Sequence, residues 1–218
     1  MKRHLLLRRV AKTLALLMLA LSMAACASGS APAHADLDFT AVDPAAVTES
    51  DAVTDYVKIT VVHYGDIILR LYPEVAPETV ANFQSLVAES FYDGLTFHRV
   101  VKNFVIQTGD PDANGEGGSD QNIYGEFRLN GFENNLKHIR GVISMARRGD
   151  DMNSASSQFF ICHKSNTNTS LLNGSYAGFG YVVSGMDVVD KIAGVAVNAD
   201  DKPLTDVVIE RACFVTVN

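Results

Sequence analysis

The sequence predicts a mainly β fold, an antiparallel sheet or closed barrel with helices at its ends. Three observations carry this expectation. About eight short runs are rich in β-branched and aromatic residues and are bounded by Gly, Pro, Asn or Asp. Two stretches show the three-and-four spacing of an amphipathic helix. The strands follow one another without alternating with helices, which disfavours a doubly wound α/β arrangement.

Taken in order, Tyr56 to His63 reads as a strand, Tyr64-Gly65-Asp66 turns, and Ile67 to Tyr72 returns as the second arm of a hairpin. Pro73 stops it. Ala76-Pro77-Glu78-Thr79 opens a helix, since proline and an acid suit the first turn, and Val80, Phe83 and Val87 give it one apolar face. Thr96 to Asp110 forms a second hairpin around Lys102-Asn103, Asn being a residue that tolerates left-handed backbone. Alternation puts Phe97, Arg99 and Val101 on one face, His98 and Val100 on the other, and Val105 with Gln107. Asp112 to Asn122 is a Gly-rich polar surface loop without the Lys-Ser/Thr of a phosphate cradle. Gly141 to Ala146, Gln158 to Cys162, Phe179 to Val183 and Val207 to Val217 are further strands. Ser165 to Ser170 is a polar loop, and Met186, Val189 and Ile192 mark the second helix. Phe159 and Phe160 must face opposite ways; Phe160 shares a face with Gln158, and Phe159 is core.

The ends set the domain organisation. Residues 1–25 combine Lys2, Arg3, Arg8, Arg9 and Lys12 with an apolar run from Leu14 to Ala25, which reads as a signal peptide. Leu21-Ser22-Met23-Ala24-Ala25-Cys26 resembles a bacterial lipobox, implying cleavage before Cys26 and lipidation on it. The expected location is therefore the outer side of the cell membrane, with the lipid as anchor. Cleavage takes five cations and no acids from 18 Lys and Arg and 25 Asp and Glu. That leaves 13 against 25, a net charge of −12. So acidic a chain is no nucleic-acid binder and has no charge-based affinity for anionic lipid. Residues 26–55 carry six acids and no Lys or Arg, the composition of a flexible tether. Residues 56–218 are long enough for one domain, read as a monomer. Cys162 and Cys213 lack metal-ligand spacing; they are expected as buried thiols, a disulfide staying open.

Five ordered blocks then become specific. FHRVVKNFVIQTGD (97–110), GEF (125–127), LKHIRGVISMAR (136–147), SSQFFIC (156–162) and LLNGSYAGFGYVVSGMDVVDKI (171–192) resemble the cyclophilins across essentially all of residues 56–218. The resemblance implies an eight-stranded antiparallel closed barrel capped by two helices. It also implies peptidyl-prolyl cis-trans isomerase activity on unfolded or exported polypeptides, with no cofactor and no metal. Position by position, it implies that Arg99 is catalytic. Phe104, Val105, Phe160 and Leu172 line a proline pocket, Gln107 and Gln158 are polar groups beside it, and Phe179 is its floor. Ala146 and Arg147 present backbone to the substrate peptide. Tyr176 takes the place of a frequent histidine, Leu171 that of a frequent tryptophan, and Arg148 stands by a secondary pocket where small residues are common. These departures motivate a second reading, a proline-peptide-binding or chaperone module with little turnover.

The residue types suit the chemistry. Rotation about an Xaa-Pro bond breaks no covalent bond but must overcome amide resonance, a barrier of roughly 20 kcal/mol. A twisted amide nitrogen regains its lone pair, and an arginine, always charged and rich in N–H groups, can donate to it. His63, His98, His138 and His163 have no Ser or Cys partner in a recognisable motif, so a hydrolase triad finds no support.

Overall fold

The computed structural model describes residues 32–218; the expected signal peptide and Cys26 lie outside them. Among the described residues nine strands form one antiparallel sheet: β1 (Val47–Glu49), β2 (Tyr56–Val61), β3 (Gly65–Leu71), β4 (Arg99–Val101), β5 (Val105–Thr108), β6 (Val142–Met145), β7 (Phe159–Cys162), β8 (Gly178–Ser184) and β9 (Ile209–Val217). Their order is β1-β9-β2-β3-β8-β6-β7-β5-β4. Three helices accompany them: α1 (Pro77–Ala88), the single turn α2 (Thr167–Ser170) and α3 (Met186–Ile192).

This corrects the expected closed eight-stranded barrel with two helices. The sheet has nine strands, and its outer members β1 and β4 do not pair. The chain ahead of β4 meets the chain around the start of β9 through an isolated bridge, Thr96 to Val208, and a few hydrogen bonds such as Phe97 N–H to Val207 O at 2.9 Å. β4 itself is three residues long and pairs only with β5, so no ladder runs on to close the sheet. The extra helix α2 falls where a polar loop was expected. Asn166 caps it, accepting from Thr169 N–H while the Thr169 hydroxyl takes up the Asn166 N–H.

The stretch read as a tether is folded against the sheet over its described part. Its acids dominate the composition, but Leu37, Phe39, Val42 and Val47 are spaced to cover the outer faces of β3, β8 and β9. The Phe39 ring meets Tyr181 edge-on at 4.8 Å, and Val42 N–H bonds Val183 O at 2.9 Å. Glu49 pairs with Lys58 at 2.7 Å and Arg211 at 2.9 Å. Leu37 is buried and Phe39, Val42 and Val47 are half-buried, so apolar burial, with the hydrogen bonds and ion pairs of the strap, opposes the entropy of ordering it.

The main core gathers the inward faces of the strands around Phe83 of α1 and Phe159 and Phe179 of the sheet. α1 begins at Pro77 with no local side-chain cap. The buried Glu126 serves instead, its carboxylate accepting from Glu78 N–H at 3.0 Å and Thr79 N–H at 2.8 Å. β7 is buried along its whole length because one face meets this core and the other a second cluster, Val105, Phe160 and Cys162. β6 is buried likewise, its other face placing Val142 against Leu37, Tyr72, Val75 and Leu136 and Ser144 against His138. Cys162 and Cys213 are free and buried.

Candidate functional site

The second cluster forms the base of a cavity of about 200 Å³. Arg99, Phe104, Val105, Gln107, Ala146, Arg147, Phe160, Leu172 and Tyr176 line it. The pleat assembles them: Arg99 lies opposite Gln107 across β4–β5, and Gln107 opposite Phe160 across β5–β7. The intervening turn is tight enough to need Asn103 at φ 64°. Phe104, Leu172 and Tyr176 complete the apolar walls from loops. A larger cavity of about 570 Å³ shares Gln107, Ala146 and Arg147 with the first, and Gln158 and Arg148 line it.

Two expected placements change. Phe179 is fully buried in the main core, its ring 5.2 Å from Phe83, and lines neither cavity. As part of β8 it faces α1, on the opposite side of the sheet from Phe160. Phe97 does not share a face with Arg99. Strand geometry starts only at Arg99, so Phe97 joins Val100 in the core while Arg99 stays 39% exposed at the cavity.

The polar side of the cavity is a chain of hydrogen bonds. Arg99 Nη1 donates to Gln107 Oε1 at 3.4 Å, and Gln107 Nε2 to Gln158 Oε1 at 2.8 Å. Gln158 Nε2 donates in turn to Gly115 O at 3.0 Å and Gly117 O at 2.7 Å. The Gly-rich loop is therefore pinned to the site. Asp110 holds its other side, accepting from the N–H groups of Asp112, Asn114 and Gly115. Burial alone raises the Asp110 pKa, but these donors outweigh it and keep the carboxyl below its usual range. A Cβ on Gly117 would lie 2.0 Å from Asp110 Oδ1, so only glycine fits there.

Two contributors escaped the sequence reading. Asp201 reaches to 3.9 Å from Arg99 Nε, and its own carbonyl accepts from Val100 N–H at 2.8 Å. It sits about 100 residues from Arg99 in the chain, in no motif; its positive φ of 62° is visible only in three dimensions. His138 backs the apolar wall, stacked on Phe160 with ring centroids 6.1 Å apart. Its ring nitrogens meet Ser144 Oγ at 2.9 Å and Asn173 Oδ1 at 3.1 Å, tying β6 to the loop that carries Leu172 and Tyr176.

Burial lowers the His138 pKa from 6.5 to about 4, against a smaller opposing effect of Asn173. The folded-state value thus lies below the unfolded one. Above about pH 6.5 the ring is neutral in both states. Between there and pH 4 the unfolded chain binds a proton that the folded chain does not, so stability falls as pH falls. The loss is expected to be about 2–3 kcal/mol by about pH 4.5. Urea unfolding of wild type and His138→Asn at about pH 7 and about pH 4.5 measures it. An equal pH dependence in both proteins refutes the assignment.

A cation beside an amide relay, facing an apolar cavity on an antiparallel sheet, is suited to hold a prolyl ring and donate to a twisting amide. The family profile described as cyclophilin type peptidyl-prolyl cis-trans isomerase/CLD matches residues 56–213. The chain belongs to that family, and it is an isomerase of Xaa-Pro bonds. It is 42% identical over 149 residues to peptidyl-prolyl cis-trans isomerase-like 1 of Aspergillus fumigatus, covering 68% of this chain and 88% of the relative. It is 39% identical over 180 residues to a Streptococcus pyogenes protein named for a phosphatase joined to a peptidyl-prolyl cis-trans isomerase. That match covers 70% of this chain but spans only 37% of the streptococcal protein. The crystal structure of a Cryptosporidium parvum cyclophilin type isomerase, obtained in the presence of the dipeptide Ala-Pro, superposes with a TM-score of 0.67 at 30% identity. It covers 75% of this chain and 99% of that one.

Proposed function

We propose that this isomerase accelerates Xaa-Pro isomerisation in exported proteins during folding, with Arg99 as its catalytic group and a lipid on Cys26 as its anchor outside the cytoplasmic membrane. The observation that carries the catalytic part is the common cavity. Arg99 and Gln107, with Arg147 beside them, face four apolar side chains, Phe104, Val105, Phe160 and Leu172, across about 200 Å³.

The apolar walls grip the prolyl ring while the preceding carbonyl swings. Arg99 Nη1 is held by Gln107, and Nη2 has no protein partner among the described residues, so it is available to the substrate. As the amide leaves planarity its nitrogen becomes an acceptor, and a donor held nearby stabilises the twisted form over both planar ones. Asp201 and Gln107 flank the guanidinium, which keeps it aimed before substrate arrives. Exported chains are the clients favoured by the leader and the lipobox-like cysteine.

The test has two arms. Exchange spectroscopy on Xaa-Pro peptides measures turnover; a wild-type rate no faster than the uncatalysed one, tens to hundreds of seconds, overturns the isomerase assignment. Cys26→Ala in cells is expected to release the protein from the membrane fraction or block processing of the leader. Undiminished membrane retention would contradict the anchor.

A further inference from the structure

Among the described residues, Arg147 is the one arginine lining the two cavities that has no Asp or Glu oxygen within 4.0 Å, although Glu116 also lines the larger cavity. Among the described residues, Arg99 has Asp201 at 3.9 Å, and Arg148 has Asp150 at 3.6 Å and Asp151 at 3.0 Å. No Asp or Glu oxygen of the described residues comes within ion-pair distance, 4.0 Å, of Arg147. Its guanidinium is nonetheless held firmly. The central carbon lies 4.8 Å from the centroid of the Tyr176 ring and 5.2 Å from that of Phe127. Nε donates to Ser175 O at 3.1 Å and Nη1 to Arg148 O at 2.8 Å. Nη2 has no protein partner among the described residues.

The side chain lines both the smaller and the larger cavity, and so forms part of the wall between them. A peptide that seats its proline in the smaller cavity and runs on into the larger one passes this guanidinium. Successive residues of an extended chain advance roughly 3.3–3.6 Å, so a side chain one or two places from the proline comes within reach. We propose that Arg147 is a specificity-determining residue, which makes the isomerase favour substrates carrying Asp or Glu within two residues of the proline.

The argument rests on the isomerase reading of the site and on three physical points. Arginine offers a planar fork of donors that matches a carboxylate, and stacking between two rings fixes that fork in advance. No ion pair within the described residues has to be broken first, Glu116 of the larger cavity lying beyond 4.0 Å. Arg148 is the weaker candidate because it is more exposed and already paired with its own two aspartates.

The experiment uses the full chain and a panel of Xaa-Pro peptides with Ala, Glu or Lys at each of the two positions before and after the proline. Exchange spectroscopy gives kcat and KM for each. The best Glu peptide is expected to exceed its Ala parent about fivefold in kcat/KM, and the matching Lys peptide by more, with the gain in KM. The preference shrinks in high salt because the pair is partly exposed. Arg147→Gln abolishes it, and Arg147→Lys, which keeps the charge but loses the fork, retains part. Equal rates for Glu, Ala and Lys peptides in wild type overturn the proposal, as does a preference that survives intact in Arg147→Gln. If Arg147→Gln does not fold, Arg147→Lys and the salt dependence of wild type still decide it. Failure of wild type to turn over any peptide defeats the isomerase reading instead, a distinct result.

Discussion

Arg99→Ala is expected to lower kcat/KM by about 100-fold or more, the usual cost of removing one preorganised donor from a transition state. Most of the loss should appear in kcat, because the donor is needed when the amide twists and much less when the peptide first binds. The fold should tolerate the change. Arg99 sits on a three-residue strand at the edge of the sheet, 39% exposed, and its polar contacts are one long hydrogen bond to Gln107 and one loose ion pair with Asp201. Exposed pairs of that kind contribute at most about 1 kcal/mol. Thermal unfolding should therefore shift by only a few degrees. Exchange spectroscopy on one Ala-Pro peptide, read beside a melting curve, makes the comparison. Activity within twofold of wild type in a folded variant rules out the assigned mechanism.

Phe179→Ala should do the reverse. The side chain is fully buried and packs on Phe83, so its removal leaves a cavity in the main core. Deletions of this size cost about 3–5 kcal/mol. Against a total stability of about 5–15 kcal/mol that is a large fraction. The melting temperature should fall by about 10 °C, at roughly 2–4 °C per kcal/mol for a domain of this length. Turnover by the molecules still folded at low temperature should change little, because Phe179 touches neither cavity. Phe160→Ala is the comparison. It too is buried, but it faces the smaller cavity, so it should lose turnover as well as stability. A Phe179→Ala protein that melts normally yet binds proline peptides poorly would put Phe179 back on the pocket floor.

Local pattern made much of this site legible. Alternation placed Val105 and Gln107 on one face and separated Phe159 from Phe160, because a strand leaves its side chains no other choice. Lys102-Asn103 marked its own turn. The five blocks brought Arg99 and its apolar companions into one list, and the fold brings most of that list around one cavity. Phe179, placed on the pocket floor by the resemblance alone, lies instead in the main core, because its side of β8 meets α1. Phe97 failed because alternation was extended two residues ahead of the actual strand, which starts at Arg99. The strap over residues 34–49 was hidden by its composition: acids and alanines outnumber the four apolar residues that do the covering.

From the sequence alone came the strand-rich class, the two longer helices, the acidic balance and the residues of the apolar pocket with its arginine. All of these depend on periodicity, turn chemistry or ordered motifs, which are local or linear properties of the chain. Tertiary structure alone decided that the sheet gains a ninth strand from the supposed tether and stays open between β1 and β4. It also decided that Asp201, Asp110 and His138 support the site, and that Arg147 lines two cavities with no ion-pair partner among the described residues. These depend on which distant segments meet. Such meetings are selected by burial and hydrogen-bond satisfaction summed over the whole domain, and no short stretch of sequence carries that sum.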